Sequence, residues 1–287
     1  MKAVILAAGL GRRLRPLSER VPKPLFPVAG RPLIQRALDR VRPWARDGVC
    51  INLYHGAQAV ADYLRAQPSL VLAREPEILG TGGGIAQFAP QLSGSQPFLV
   101  HNCDLVCDID LGALLEQHLR RRPAATLALV DFPPENTVAC DRGRVVALGE
   151  APPGTLRLCY CGVGVFTPGV LSHLPARGSL AQGLRSLLAA GERIEAWLVP
   201  AGTLWRNINT FQDYLEVHRC LHPGVRDDGA RVHPSARLEG FVYLGESALV
   251  EEGARLRDCV VWPGARVPAG ALLERAVVTP WTVHALA

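Results

Sequence analysis

The sequence predicts an α/β fold with a Rossmann-like, mostly parallel mixed sheet and helices on both faces, followed by a short left-handed parallel β-helix. Two observations predict the sheet: strand-like and helix-like stretches alternate to about residue 219, and the first apolar run ends at a glycine turn. A third observation predicts the β-helix, since aliphatic residues recur every six positions after residue 229.

The alternating stretches define the predicted elements in order. Residues 3–8 form the first strand, because an uninterrupted apolar run suits a buried strand of a parallel sheet. Further strands are predicted at 48–53, 97–102, 124–131, 144–148, 158–166 and 193–199. Helices are predicted at 31–46, 56–66, 110–122, 179–190 and 210–219. Ligands of such sheets bind beyond the carboxyl ends of the strands, which is where the turn at Gly9 lies.

The six-residue period sets the predicted domain boundaries: a first domain at 1–220, a linker at 221–229 and a β-helix at 230–287. The aliphatic positions are Val232, Leu238, Leu244, Val250 and Leu256 and, after a one-residue slip, Val261, Val267 and Leu273. Small residues keep the same spacing at Ala230, Ala236, Ala248 and Ala254. This length gives only a few coils, enough for a cap or for a homo-oligomer contact but small for an independent catalyst.

Composition narrows the function classes. The chain has 287 residues, of which 48% are hydrophobic and 20% charged, so it can bury a core. Its net charge of +5 and aromatic content of 6% suit a small anionic substrate and argue against nucleic acid. No apolar run approaches the roughly 20 residues of a membrane-spanning helix, and no signal peptide is evident. We therefore expect a cytoplasmic protein with no membrane partner.

The eight cysteines include no C-x-x-C pair. A zinc site built from Cys103, Cys107, Cys159 and Cys161 is an alternative with poor spacing. We interpret the cysteines as small buried hydrophobic residues.

The turn after the first strand concentrates positive charge. Gly9 and Gly11 allow a tight turn whose N–H groups face an anion, and four arginines and a lysine follow. Pro22 and Pro24 stiffen the backbone on both sides of Lys23. The candidate site residues among these basic residues are Arg12, Arg13, Arg15 and Lys23. Such a loop fits a polyphosphate better than a neutral ligand.

Three familiar phosphate or nucleic-acid motifs do not fit this loop. A Walker P-loop requires Gly-Lys-Ser/Thr, whereas Gly11 is followed by Arg12 and Arg13. A dinucleotide fingerprint requires a third glycine where Leu14 stands. A nucleic-acid patch would carry interleaved aromatic residues.

Two further segments carry candidate site residues. Residues 79–84, Leu-Gly-Thr-Gly-Gly-Gly, enter a predicted helix at Ile85, and repeated glycines permit close approach to a base or a sugar, although such runs are often only turns. The apolar strand at 98–102 leads to Asp104. A carboxylate at that position suits Mg²⁺, with a helix cap as the alternative.

The pattern Gly9-Leu-Gly-Arg-Arg-Leu-Arg-Pro16 followed by Pro22-Lys-Pro-Leu25 resembles the signature of the sugar-1-phosphate nucleotidyltransferase (NDP-sugar pyrophosphorylase) family. Residues 79–83 resemble its L-G-T-[AG]-G loop, residues 102–104 its N-[GA]-D motif, and residues 205–210 its W-x-D-I-[GN]-T motif. The layout, with its hexapeptide tail, is similar to the mannose-1-phosphate guanylyltransferase branch.

The resemblance implies a Mg²⁺-dependent enzyme that joins an NTP to a sugar 1-phosphate. Arg13 and Lys23 would be catalytic, and Asp104 and Asn207 would hold the metal. The implied nucleotide-binding residues are Leu6, Ala7, Ala8, Gly9, Gly11, Arg12, Arg13, Arg15, Gly80, Thr81, Gly82 and Gly83. The implied sugar-binding residues are Asn102, Glu150 and Gly162.

The sequence departs from the family at two positions. Asn207 replaces the second metal-binding aspartate, which removes a negative charge. Ala151, in Glu150-Ala151-Pro152, replaces the lysine of an E-K-P motif, as in relatives resembling N-acetylmuramate-1-phosphate uridylyltransferases.

These departures leave more than one function open. GTP with a mannose-like or heptose 1-phosphate is favoured, with UTP as the close alternative. A catalytically weak regulatory homologue that binds sugar nucleotides is the alternative of a different class. A hexapeptide acyltransferase is a poor third option, because the coils are few and His233 is the single nearby base.

Overall fold

The computed structural model describes residues 1–94, 96–133, 135–151 and 153–286, which divide into two compact units. The first unit comprises Met1–Leu10, Pro22–Pro24 and Ile34–Trp205. The second comprises Gly11–Val21, Leu25–Leu33 and Arg206–Ala287. None of the helices in these described residues is long and apolar enough to cross a membrane.

The helices and strands follow one another along the whole chain. The helices are α1 (Leu17–Arg20), α2 (Leu33–Val41), α3 (Ala57–Leu64), α4 (Gly80–Ala86), α5 (Ala89–Leu92), α6 (Leu111–Arg121), α7 (Leu180–Ala189) and α8 (Phe211–Leu221). The strands are β1 (Lys2–Leu6), β2 (Pro27–Val28), β3 (Arg31–Pro32), β4 (Val49–Leu53), β5 (Leu70–Arg74), β6 (Phe98–Asn102), β7 (Leu105–Cys107), β8 (Ala125–Val130), β9 (Val138–Asp141), β10 (Arg144–Leu148), β11 (Leu156–Phe166), β12 (Ile194–Leu198), β13 (Trp205–Asn207), β14 (Val225–Asp227), β15 (Arg231–Val232), β16 (Arg237–Leu244), β17 (Leu249–Val250), β18 (Arg255–Val261), β19 (Arg266–Val267), β20 (Leu272–Glu274), β21 (Ala276–Val278) and β22 (Val283–Ala285).

The first unit is built on a sheet with the order β5-β4-β1-β6-β11-β8-β12-β10-β9. The pairings are parallel from β5 to β6 and between β8 and β12. They are antiparallel where β11 meets β6 and β8, and where β10 meets β12 and β9. The prediction of a mostly parallel sheet is therefore wrong in degree, because β11 runs against its neighbours in the middle of the sheet. Apolar runs identify buried strands but carry no information about strand direction.

The parallel half of the sheet brings three strand ends together. Leu6, the last residue of β1, pairs with Asn52 of β4 on one side and with Asn102 of β6 on the other. The middle of β1, Ala3–Ile5, is fully buried. Because parallel strands end at the same edge, the segments that follow β1, β4 and β6 leave the sheet side by side.

The second unit contains a stack of short parallel strands. Arg237 pairs with Arg255, which pairs with Leu272, and Leu249 pairs with Arg266, so partners stand 17 or 18 residues apart in the sequence. That spacing equals three six-residue periods, shortened by one residue where the sequence slips. The buried periodic residues are Leu244, Ala248, Val250, Ala254, Leu256, Val261 and Val267.

The segment predicted as a linker, 221–229, contributes to this stack. Val225–Asp227 forms β14, which pairs in parallel with Val242–Leu244 of β16. The compact units divide at residue 205 rather than at 220, because α8 packs against β16 and β18 of the stack. Pro223, Gly224 and Gly229 make this segment resemble a linker in the sequence, but the backbone between the two glycines still forms ladder hydrogen bonds.

Candidate active site

The residues that follow β1 lie at the carboxyl edge of the sheet. Ala7 and Ala8 are buried, and the Ala7 N–H donates to Oδ1 of Asn52 over 2.8 Å. Gly9 is exposed, and a Cβ at this position would meet nothing within 4 Å. Gly11 has a φ of 59°, which favours glycine. The left-handed backbone conformation therefore favours glycine at position 11. At position 9, the space that a side chain would occupy is open.

The arginines that follow lie on the surface of the second unit. Arg12 and Arg13 begin a 3-10 turn, Arg12–Leu14, and both are exposed. Arg15 is also exposed and forms a 3.4 Å ion pair with Glu19. The turn is anchored by buried Leu14 and by the Ser18 hydroxyl, which donates to the Gly11 carbonyl over 2.9 Å. All three guanidinium groups are thus accessible to an anion.

Lys23 lies in the first unit and differs from the arginines in being buried. It begins the 3-10 turn Lys23–Leu25 and is only 8% exposed. Its Nζ donates to Oδ2 of Asp104 over 2.5 Å, and the Asp104 side chain is 28% exposed. The structure therefore joins two residues that the sequence implicates separately, one as a phosphate ligand and one as a metal ligand.

The glycine-rich segment is itself a helix, and the prediction of a loop entering a helix at Ile85 is wrong. Helix α4 begins at Gly80, and Thr81 is exposed on it while its hydroxyl accepts from the Leu180 N–H. A Cβ would stand 2.5 Å from the Gly178 oxygen at Gly80, and 2.5 Å from the Ala176 oxygen at Gly83. These glycines are required for close packing of α4 against residues 175–179.

Two of the three predicted sugar-binding residues lie together. A Cβ at Gly162 would meet the Asn102 side-chain nitrogen at 2.7 Å, and Gly162 has a φ of +80° within a bulge of β11. Glu150 lies beyond the end of β10, where it is exposed. Among the described residues, no hydrogen bond or ion pair joins Glu150 to Asn102 or Gly162. Pro152 of the same motif lies outside the described residues.

Asn207 is the last residue of β13, in the second unit. Its Oδ1 is buried and has no hydrogen-bond partner among the described residues. Leaving a buried oxygen without a hydrogen-bond partner costs about 1–3 kcal/mol of stability. This position therefore suits a metal ion or another ligand that binds to an amide oxygen.

The cysteines and histidines contribute no second site. The part of the chain that the structure describes contains no cluster of three or more His, Cys, Asp or Glu side chains that could hold a metal. Cys103 and Cys161 are buried, and burial raises the pKa of both thiols. His101 is also buried, and burial lowers its pKa to about 4, so its imidazole is neutral.

Sequence reasoning missed a buried polar pair beside the first loop. Asn52, 3% exposed, accepts from Ala7 and donates to Oε1 of Glu75 over 2.7 Å. Glu75, 6% exposed, accepts from the Leu79 N–H at its other oxygen over 2.9 Å. The pair therefore joins the loop after β1 to the start of α4. The available signal was a polar residue, Asn52, within the apolar strand Val-Cys-Ile-Asn-Leu, together with an acid directly after Arg74.

Comparison with known proteins identifies the family. The profile of the nucleotidyl transferase family matches residues 2–223. The chain belongs to the nucleotidyl transferase family. The match covers both the strand ends and the loops described above, so this edge of the nucleotidyl transferase sheet is its candidate active site.

Two named relatives and one solved structure show how far this similarity extends. The nucleotidyl transferase is 32% identical to "Mannose-1-phosphate guanylyltransferase" of Mycobacterium tuberculosis over 95% of this chain and 83% of that protein. It is 38% identical to "N-acetylmuramate alpha-1-phosphate uridylyltransferase" of Neisseria meningitidis over 63% of this chain and 81% of that protein. HddC from Yersinia pseudotuberculosis, solved with GMP-PN, has the same fold, with a TM-score of 0.63, 22% identity, and coverage of 77% of this chain and 99% of that chain.

Proposed function

We propose that this nucleotidyl transferase joins an NTP to a sugar 1-phosphate, giving an NDP-sugar and pyrophosphate. One observation carries the proposal: the register at Leu6 aligns the ends of β1 and β6, so the glycine turn and the Asn102–Asp104 motif leave the same sheet edge. The roles implied by the sequence are kept here as part of the proposal. The nucleotide would contact residues 6–9, Gly11, Arg12, Arg13, Arg15 and residues 80–83, and the sugar would contact Asn102, Glu150 and Gly162.

The chemistry requires two anions to meet. An oxygen of the sugar phosphate attacks the α-phosphorus of the NTP, the bond to the β-phosphate breaks, and pyrophosphate leaves with the electron pair. No covalent enzyme intermediate is needed, so positioning and neutralisation of charge dominate. Arg13 and Lys23 would supply positive charge where negative charge accumulates in the transition state.

The donor chemistry of the residues proposed to hold Mg²⁺ suits that ion. Carboxylate and amide oxygens form the hard donor set that Mg²⁺ prefers, and the buried Asn207 Oδ1 has no hydrogen-bond partner in the part of the chain that the structure describes. Asp104 and Asn207 would hold the ion, which, when bound, would neutralise phosphate charge and orient the triphosphate. Oδ2 of Asp104 accepts from Nζ of Lys23, so the carboxylate that would hold the ion is paired with a lysine in this structure.

GTP and a mannose-like 1-phosphate are the favoured substrates. Their support is the named guanylyltransferase of M. tuberculosis, which matches nearly the full chain. UTP is the second candidate, because the named uridylyltransferase of N. meningitidis is more identical over a shorter stretch.

The test is pyrophosphate release from purified protein with Mg²⁺, each NTP in turn and a panel of sugar 1-phosphates. We expect turnover with GTP and a mannose-like substrate, and we expect Lys23→Ala to lower kcat by at least about 100-fold through loss of one charge contact. Lys2→Ala is the matched control, because Lys2 donates to the Gln91 carbonyl away from the strand ends. An unchanged kcat in Lys23→Ala would remove Lys23 from the mechanism.

A regulatory homologue that binds sugar nucleotides is the second candidate function. It is favoured by Asn207 and Ala151, which each replace a charged residue of the family pattern. Nucleotide-dependent thermal stabilisation without turnover for any substrate pair would support it over the enzyme.

The C-terminal stack and the cellular location complete the proposal. The register of 17 or 18 residues supports hexapeptide coils of a left-handed β-helix, and its end strands offer a contact for a homo-oligomer.

We also infer a cytoplasmic location, where nucleotide and sugar phosphate are available.

A further inference from the structure

The Lys23–Asp104 ion pair compensates the positive charge of the lysine proposed to bind phosphate. Nζ of Lys23 lies 2.5 Å from Oδ2 of Asp104, and the lysine is 8% exposed. Lys23 is therefore not a free cation that waits for phosphate. Its charge is already compensated by a carboxylate that is itself a proposed ligand of a cation.

The backbone around Lys23 leaves little freedom to move the lysine as a whole. Pro22 packs against Gly56, where a Cβ would stand 2.7 Å from the Cβ of Pro22. Pro22 and Pro24 also restrict φ on either side of Lys23. A change of partner at Nζ must therefore come from rotation of the side chain, over a short distance and with a fixed backbone.

Charge balance decides what can replace each partner. In this partly buried ion pair, removing one member leaves the other as an uncompensated charge, which is unfavourable, above all for the buried Lys23. A phosphate that takes Lys23 leaves Asp104 unpaired, and a cation that takes Asp104 leaves Lys23 unpaired. When both arrive together, neither charge is left alone.

We infer that Lys23 and Asp104 form an exchange pair that couples binding of a polyphosphate to binding of a divalent cation. The polyphosphate binds to Lys23 and the cation binds to Asp104. Each ligand therefore compensates the charge that the other would leave unpaired. Such coupling is reciprocal, so the cation raises the affinity for polyphosphate by the same factor as the reverse. The inference rests on the proposed function for the identity of the anion as a nucleoside triphosphate.

Inorganic tripolyphosphate tests the exchange without a base or a sugar. Its affinity is measured by calorimetry for wild type, Asp104→Asn and Asp108→Asn, with EDTA and then with Mg²⁺. Asp108 is the matched control, because it is exposed and its removal takes away the same charge four residues along the chain. Binding of Mg²⁺ to free tripolyphosphate is the same for every variant and cancels when variants are compared.

The exchange predicts that Asp104→Asn strengthens tripolyphosphate binding without metal and weakens the response of that binding to Mg²⁺. Without metal, the variant should bind tripolyphosphate about ten-fold more tightly than wild type, since the competing carboxylate is gone. The gain in affinity that Mg²⁺ gives wild type should shrink by about ten-fold. Equal behaviour of Asp104→Asn and Asp108→Asn would overturn the inference.

A second measurement uses wild-type protein and does not depend on the variant folding. The chain has only two lysines, Lys2 and Lys23, so ¹H–¹⁵N spectra of the ammonium groups are simple, and Lys23→Arg assigns them. Tripolyphosphate should shift the Lys23 signal and leave Lys2 unchanged, since Lys2 donates to the Gln91 carbonyl. An unshifted Lys23 signal at saturation, or no binding of tripolyphosphate with Mg²⁺ present, would refute the exchange. Absence of turnover with every substrate pair would instead contradict the proposed function and leave these binding results intact.

Discussion

At the scale of single residues, Asn207 places a buried amide oxygen at the end of β13, and no described residue forms a hydrogen bond with it. We predict that Asn207→Asp tightens Mg²⁺ binding on the order of ten-fold, because a carboxylate adds a negative charge to an oxygen donor set. Without metal the variant should be less stable than wild type, since a buried carboxylate with no partner is costly. Thermal denaturation over a Mg²⁺ titration measures both effects.

A matched variant separates the position from the added charge. Asn209→Asp introduces the same carboxylate two residues along, where the backbone N–H already donates to Asp213. It should leave Mg²⁺ binding unchanged. A titration in which Asn207→Asp and Asn209→Asp behave alike would place Asn207 outside the metal shell.

Residue by residue, sequence reasoning identifies side chains that belong to linear motifs and misses those that meet only in space. Lys23 and Asp104 stand in separate motifs, and their ion pair is invisible until the fold brings β6 and the Pro-Lys-Pro turn together. Asn52 and Glu75 belong to no motif. Their role as a buried pair depends on the parallel register of β1 and β4, which periodicity does not specify.

At the scale of elements, α4 is the helix whose packing depends on the absence of side chains. We predict that Gly83→Ala lowers the free energy of unfolding by about 1–2 kcal/mol. A Cβ there would stand 2.5 Å from the backbone oxygen of Ala176, and overpacking against backbone costs about 1–3 kcal/mol, which outweighs the helix propensity gained from alanine. Urea unfolding of wild type and variant gives the difference.

Gly169→Ala is the control for this substitution. Gly169 lies in the 3-10 turn Pro168–His173, and a Cβ would meet only the Thr167 hydroxyl, at 4.0 Å. This variant should be as stable as wild type or slightly more stable, because the unfolded chain loses freedom. A Gly83→Ala protein as stable as Gly169→Ala would mean that residues 175–179 yield to the added methyl group.

All the predicted helices and strands are found, most of them with shorter bounds. The helix predicted at 31–46 is Leu33–Val41, since Arg31–Pro32 forms β3 and Pro43 follows the last turn. Strand β5, Leu70–Arg74, is not among the predicted strands, because its residues lack a clear apolar–polar alternation. In the structure this strand is only partly buried. The sequence does not predict that helix α4 begins at Gly80, because glycine normally disfavours helices. The glycines of α4 are explained by its close packing against the backbone of residues 175–179.

At the scale of the whole molecule, the sequence predicts domains at 1–220 and 230–287, and the structure contains two compact units that are each assembled from three segments. Helix α8 continues the α/β alternation in sequence, yet it packs with the C-terminal strands. Residues 25–33 also belong to that second unit, where the Tyr214 hydroxyl donates to the Pro27 carbonyl. A boundary drawn along the sequence cannot represent a unit assembled from three separate segments.

Stability of the molecule should depend on pH through histidines buried in a neutral form. Burial lowers the pKa of His101 and of His118 from 6.5 to about 4. His118 shares a 2.9 Å hydrogen bond with the Thr126 hydroxyl, and its Nε2 is buried with no partner among the described residues. Below pH 6.5 the unfolded chain therefore binds protons that the folded protein does not.

We predict that the free energy of unfolding is highest above pH 6.5 and falls as the pH approaches 4. Each histidine contributes up to about 3 kcal/mol over that range, because one pKa unit corresponds to about 1.4 kcal/mol. Urea unfolding at pH 7, 6 and 5 measures the slope. Carboxylates with lowered pKa values, such as Glu216, add a loss of the same sign only below about pH 4.5, where free carboxylates titrate.

His118→Asn removes one of the two titrating groups while keeping a side chain that can bond to Thr126. The comparison uses the slope with pH rather than stability at one pH, because the substitution can shift stability at every pH by a constant amount. The slope between pH 6.5 and pH 5 should fall to about half the wild-type value, since His101 still titrates. A variant with the full wild-type slope would show that His118 is protonated in the folded protein, and that the interior around α6 and β8 admits a charge.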